Sequence, residues 1–259
     1  MNRSQDQVLA GQSLSWRLQG GNALLTAGAL SASLEVTHPA RGLSALTWNG
    51  REVDGRLLGV MTDCSPLEAG NILPDTFVRG NDLVAYYSQN AQRAFSCQIY
   101  WRAALSVNGA VLVETIISVQ TDQLESFPQI ALETQLAIEQ VWLVGGGRQG
   151  RGQPDPRQLV DSAGQTTSGD ESACLVFRPA DADWSYAEMT HPDDRGSWQI
   201  QRSVPGQPVV RRQLGGSFLE KGVIRLLRAR GAFVPRENDL HLAAGCLAAL
   251  AREAPPLTA

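Results

Sequence analysis

Lysine is almost missing from this chain: of 22 basic residues only Lys221 is a lysine. So lopsided an arginine usage looks like GC-rich coding bias rather than selection for bidentate contacts. Nor is there any basic excess. A formal net charge of −4 and an isoelectric point near 5.4 leave no clustered positive footprint, which argues against nucleic acid as a partner. Cysteine is sparse, and Cys64, Cys97, Cys174 and Cys246 show no C-x-x-C spacing. In a chain of 259 residues that pattern suggests buried free thiols in a reducing compartment, not a disulfide or zinc framework. The three histidines, His38, His191 and His241, never pair at metal-ligand spacing, so no metal is expected. No uninterrupted apolar run is long enough to cross a bilayer, and residues 1–6 lead into no apolar segment. The expectation is a cytoplasmic protein without a membrane span.

Chemical signatures are equally scarce. There is no P-loop, no G-x-S-x-G elbow and no kinase-type motif. Residues 145–150, GGGRQG, match G-x-G-x-x-G after an apolar run at 141–144. A dinucleotide fingerprint needs a helix directly afterwards, and Pro154 and Pro156 forbid one. No cofactor is expected.

What the chain does carry is strand after strand. Short segments rich in Val, Ile, Leu, Trp and Tyr alternate with Gly, Asn, Asp and Pro. Ile130, Leu132, Thr134, Leu136 and Ile138 share one face while Glu133, Gln135 and Glu139 take the other, the period of two of a half-buried strand. Residues 95–102 and 111–116 flank Asn108-Gly109, and residues 43–48 precede Asn49-Gly50, both pairs suited to the positive φ angles of a type I′ turn. Gly20-Gly21-Asn22 separates 14–18 from 23–25. Further strands are expected at 30–37, 83–88, 173–178, 184–189, 198–202, 209–214 and 223–234. Roughly a dozen or more strands exceed what one sheet holds without curling or splitting. The expected fold is therefore all-β: one domain over residues 1–259, a large antiparallel two-sheet sandwich with a single C-terminal helix. That helix shows in Leu240, Ala243, Ala244, Leu247, Leu250 and Ala251, with Asn238 or Asp239 to cap it. Residues 145–169 read as a loop rich in Gly, Pro and Arg.

Three polar clusters are candidates for a site. In the first, residues 186–195, Tyr186, Glu188, His191, Asp193 and Arg195 gather an imidazole, carboxylates, a guanidinium and an aromatic ring. Imidazole and carboxylate exchange protons near neutral pH, which the opening and closing of a sugar hemiacetal requires. An ordinary hydrophilic turn has the same composition. The second is Arg79 and Asp82 with Tyr86-Tyr87, together with Gln98, Tyr100 and Arg102 on one strand face opposite Cys97, Ile99 and Trp101. Aromatic rings flanked by hydrogen-bonding groups suit sugar faces, and a solvated strand face is the simpler account. The third, Glu220 with Lys221, reads as turn charge.

Residues 30–37 followed by Arg41-Gly42 and residues 43–53, and residues 111–138 with Thr121-Asp122 and Phe127-Pro128 between two long strands, resemble the galactose mutarotase-like superfamily. That resemblance implies a supersandwich of two large antiparallel sheets with a sugar-sized groove, and a histidine acid with a glutamate base interconverting anomers. No motif here aligns with that pair. His191 with Glu188 or Glu220 supplies the same chemistry. The expected function is thus carbohydrate binding, with a small sugar or oligosaccharide as ligand and aldose epimerisation as its catalytic form. The alternative is a non-catalytic protein-interaction module that uses a sheet face or the 145–169 loop. Oligomeric state is not legible in the sequence.

Overall fold

The computed structural model describes residues 13–62, 65–67, 73–91, 93–106, 109–145, 156–159, 166–169, 174–194, 196–201 and 207–254. Within them two antiparallel sheets carry almost all of the regular structure. One has eleven strands and begins with the meander Leu14–Gln19, Asn22–Ala27, Leu30–Glu35, Leu43–Trp48. It continues through Gly55–Thr62, Ile130–Leu136, Val209–Gln213, Trp198–Gln201 and Thr166–Gly169. The other has nine strands, in spatial order Arg157–Leu159, Gln140–Val144, Cys174–Arg178, Trp184–Thr190, Ile224–Pro235, Val111–Gln120, Ser96–Leu105, Asp82–Tyr87 and Asp75–Arg79. A two-stranded ribbon, Glu125–Ser126 with Leu219–Glu220, lies outside both.

The alternation read from the sequence decides which side chains meet between the sheets. Ile99 and Trp101, then Val113 and Ile117, then Leu227 and Phe233 point inward from neighbouring strands of the nine-stranded sheet. Leu132 and Leu136 meet them from the other sheet. Aromatic rings knit the layers together: Trp48 stacks on Phe233 across the sandwich at 5.2 Å, and Trp184 and Tyr186 pack on the same Phe233. Gly231 makes room for this cluster, because a Cβ there would come within 2.4 Å of the Tyr186 hydroxyl.

The nine-stranded sheet is also partly covered on its outer face. The helix Asp239–Leu250 lays Ala243, Leu247 and Leu250 against Val176, Ala187, Met189 and Ala232. Alanines at 187 and 232 let the helix approach closely. Its start is anchored by Asp239, whose carboxylate takes two 2.8 Å bonds from Arg178 and one of 2.6 Å from the Ser185 hydroxyl. Asn238 adopts a left-handed conformation and makes no side-chain cap bond, so Asp239 supplies the anchor. Among the described residues no helix is long and apolar enough to cross a membrane.

The two-sheet sandwich with one C-terminal helix is as expected. The turn at Asn49-Gly50 has the positive φ angles, 50° and 76°, that a type I′ turn demands. Asn108 lies outside the described residues, as do Cys64 and most of 145–169. The described parts of that stretch are strands where a loop was expected: Arg157–Leu159 edges the nine-stranded sheet and Thr166–Gly169 edges the eleven-stranded one. Cys97, Cys174 and Cys246 are free thiols.

Candidate functional site

Register across the nine-stranded sheet assembles the polar face. Asp82 pairs with Arg102, Arg102 with Glu114, and Glu114 with Arg230, so four adjacent strands contribute one transverse row of alternating charge. Opposite charges directly across from one another are the stabilising cross-strand arrangement. Arg102 grips Asp82 in a fork, Nε to Oδ1 at 2.8 Å and Nη2 to Oδ2 at 3.0 Å. Arg230 donates from Nη2 to Glu114 at 3.1 Å. It also donates from both Nη atoms to Glu253, at 2.7 and 2.6 Å, and Glu253 arrives from just beyond the helix end.

Alternation then sets a second outward row two residues along: Val84, Tyr100 and Ile116 pack together, with Arg228 next in register. The Tyr100 hydroxyl donates to Gln98 Oε1 at 2.9 Å. His191 continues the outward series Ser185, Ala187, Met189 at the end of its strand. The Asp193 backbone N–H donates to His191 Nδ1 at 3.1 Å, the arrangement in which Nδ1 accepts and Nε2 carries the ring proton. That Nε2 is buried and has no hydrogen-bond partner among the described residues, and the same holds for Nε of Arg228 and of Arg230.

Electrostatics divide the carboxylates of this face. Burial pushes the Glu114 carboxyl above its ordinary pKa against the pull of Arg230 and Arg228. Burial likewise raises Asp194, opposed by Arg228 and His191. For Glu253 burial acts upward too, and the Arg230 hydrogen bonds outweigh it, so its pKa is lowered. Carboxyls raised by burial on a face that also carries an imidazole are the kinds of group that acid-base exchange uses.

Among the residues singled out in the sequence, Asp82, Gln98, Tyr100, Arg102 and His191 share this face, and exposed Asp193 sits beside His191. Arg79 is exposed on the edge strand, and Arg195 lies outside the described residues. Glu188 and Tyr186 are elsewhere: both point into the sandwich, where Glu188 binds Arg212 at 2.8 Å and the Thr134 hydroxyl at 2.6 Å. Glu188 therefore does not join His191, because residues three apart on a strand face opposite sides. Glu220 sits in the small ribbon, across from Glu125. Sequence reasoning passed over Glu114, Arg228, Arg230 and Glu253. Charged residues at alternate positions inside apolar strands, as in Arg228 and Arg230, were the available signal.

The eleven-stranded sheet offers a sparser outer face, with Arg56 bound to Glu133 at 2.6 Å and Gln213 to Gln129 at 3.2 Å. A pocket of about 810 Å³ is at neither face; it opens at one end of the sandwich between the 48–54 and 179–184 turns.

No protein-family model matches the chain, and neither does any curated sequence. Solved structures do. A candidate aldose 1-epimerase from Klebsiella pneumoniae is 8% identical, with 93% of this chain and 90% of that one superposed at a TM-score of 0.55. A GalM/aldose epimerase homologue from C. elegans is 10% identical over 87% of this chain and 99% of its own, with a TM-score of 0.49. A galactose mutarotase-like protein from Lactobacillus casei is 10% identical over 86% of this chain and 100% of its own, with a TM-score of 0.46. At such identity the likeness is one of fold, and it rests on the first of these: the chain has the galactose mutarotase-like sandwich fold.

Proposed function

We propose that this protein binds a carbohydrate on the outer face of the nine-stranded sheet and exchanges the sugar's anomers there. The observation that carries the reading is the charged row Asp82, Arg102, Glu114, Arg230 lying beside Tyr100, Gln98 and an imidazole whose Nε2 proton is unclaimed. Sugars need such a mixture of ring surface, donors and acceptors. Sugar binding has to uncover the buried Nε2 of His191; that atom then gives its proton to the ring oxygen, and Glu114, its pKa raised by burial, takes the anomeric hydroxyl proton. The open-chain aldehyde rotates, and the two transfers run in reverse. The name of the Klebsiella structure of like fold supports the substrate class; fold alone does not establish it.

The test is a thermal-shift screen with free sugars, sugar phosphates and oligosaccharides, followed by anomer exchange measured by NMR. A ligand at a hundredfold excess over Kd stabilises by about 2.7 kcal/mol. Loss of that shift in His191→Ala supports the assignment. Retention in His191→Ala, with loss in Glu133→Ala on the opposite sheet, moves the site to the other face. No shift with any sugar discards the proposal.

One observation favours the interaction-module reading. Around the two-stranded ribbon Leu124 is 81% exposed, and Phe127 and Phe218 lean on each other at 5.6 Å while both stay exposed to solvent. Val223 and Ile224 are exposed next to them. Apolar side chains clustered on a surface mark contact sites. Under that reading Leu124→Ser with Phe127→Ser abolishes capture of a partner in pull-downs and leaves any sugar response untouched.

A further inference from the structure

The pocket at the end of the sandwich is apart from the proposed sugar face and built differently. Its volume is about 810 Å³. Trp48 and Trp184 form its aromatic wall, their ring centroids 5.9 Å apart. Trp48 gives one ring face to Phe233, 5.2 Å away and only 13° from parallel. It is half-buried and lines the pocket. The stack ties that wall to the central core, so the aromatic surface is held rigidly.

Charge around the opening is one-sided. Glu52, Asp54, Glu139, Asp181 and Asp183 line it against the single guanidinium of Arg51. None of these five carboxylates takes part in an ion pair among the described residues, whereas the carboxylates of the sheet face, Asp82, Glu114 and Glu253, are each bound to an arginine. Five unpaired negative charges converging on one concavity focus a field that draws cations in. An indole gives the apolar or aromatic body of a ligand a large surface to pack on. A neutral sugar needs donors as well as acceptors, and this rim offers mainly acceptors.

We propose that the pocket is a binding site for an organic cation, a protonated amine with an apolar or aromatic body. The body packs on half-buried Trp48, which buried Trp184 backs from the core, and the ammonium sits among the carboxylates.

The probe is phenethylammonium, titrated into the intact protein by calorimetry, with 2-phenylethanol as its neutral isostere and maltose as a neutral sugar. The expected result is binding of the amine, weaker at higher salt because exposed charges are screened over about 8 Å at physiological ionic strength, and little or no binding of the alcohol. Asp181→Asn, Asp183→Asn and Glu139→Gln alter exposed side chains and should leave circular dichroism and Tm unchanged. Exposed charge pairs are worth modest amounts each, so the triple variant should lose about tenfold in affinity. The proposal is overturned if the alcohol binds as well as the amine, if the triple variant keeps full affinity, or if maltose is what the pocket takes. His191→Ala, which tests the sugar face, should leave amine binding unchanged, so the two readings fail separately.

Discussion

Glu188 and Arg212 form an ion pair inside the sandwich, Oε1 to Nε 2.8 Å apart, with side chains only 1% and 2% exposed. Glu188 belongs to the nine-stranded sheet and Arg212 to the eleven-stranded one, so the pair joins the layers. The remaining carboxylate oxygen takes the Thr134 hydroxyl, and Arg212 also donates to the Glu188 carbonyl at 2.6 Å. Breaking such a pair strands a charge in the core and costs about 3–5 kcal/mol, more than replacing both partners by apolar residues. Glu188→Ala should therefore lower the urea midpoint sharply, and the double variant Glu188→Met with Arg212→Met should recover much of the loss. Equal destabilisation of the two variants contradicts this account.

On the sheet face the expected pattern is the reverse. His191→Gln removes a ring whose Nε2 is unpartnered among the described residues, and its stability should stay within about 1 kcal/mol of wild type. The anomer exchange proposed for this face should fall by about 100-fold or more in this variant, the ordinary worth of a positioned acid or base. A variant that unfolds together with its loss of exchange assigns His191 to structure instead.

Acid sensitivity should trace to the helix anchor. Burial alone would raise the Asp239 pKa, yet the bonds from Arg178 and Ser185 hold it below its ordinary value. A carboxylate lowered by folding contributes stability that is complete above its unfolded pKa, about 4, and is lost as pH falls through the lower folded value. Asp239→Asn should cost about 2 kcal/mol at pH 7, and thermal melts of wild type and variant should converge near pH 2. Glu114 and Asp194, raised by burial, act with the opposite sign: they oppose folding once ionised above their folded pKa, and that cost eases on acidification.

Thiol chemistry gives an independent check on the core. Burial pushes the Cys97 thiol up to about 12 and raises Cys174 as well. Thiolate is the reactive species, so native protein treated with iodoacetamide at pH 8 should show neither residue alkylated by peptide mass spectrometry, and denatured protein should show both. Fast labelling of Cys97 or Cys174 in native protein would place them outside the core.

Much of the fold was legible because strands have two sides. The alternation of Ile130, Leu132, Thr134 and Leu136 against Ala131, Glu133 and Gln135 is the alternation of inward and outward side chains, and the heptad-like spacing of Ala243, Leu247 and Leu250 marks the buried side of the helix. The second polar cluster was legible for the same reason, since Gln98, Tyr100 and Arg102 share a parity and a face. The first cluster misled because nearness along a chain is not nearness in a sheet. Parity already separates Glu188 from His191. It does not say which side is the interior, because Trp184, Tyr186, Glu188 and Thr190 look no more apolar than Ser185, Ala187, Met189 and His191, and both series are buried, one by the opposite sheet and one in part by the helix.

The sequence by itself determined the class of structure: many short two-sided strands, turns where Gly and Asn accept positive φ, and one terminal helix. Tertiary structure alone decided which charges meet. Glu114 and Arg230 are 116 residues apart and touch because their strands are neighbours in register. Glu253 reaches Arg230 because the helix folds back over the sheet. The physical reason is that period-two patterning specifies a face locally, while strand order and register, which place one face's charges beside one another, are set by packing of the whole core.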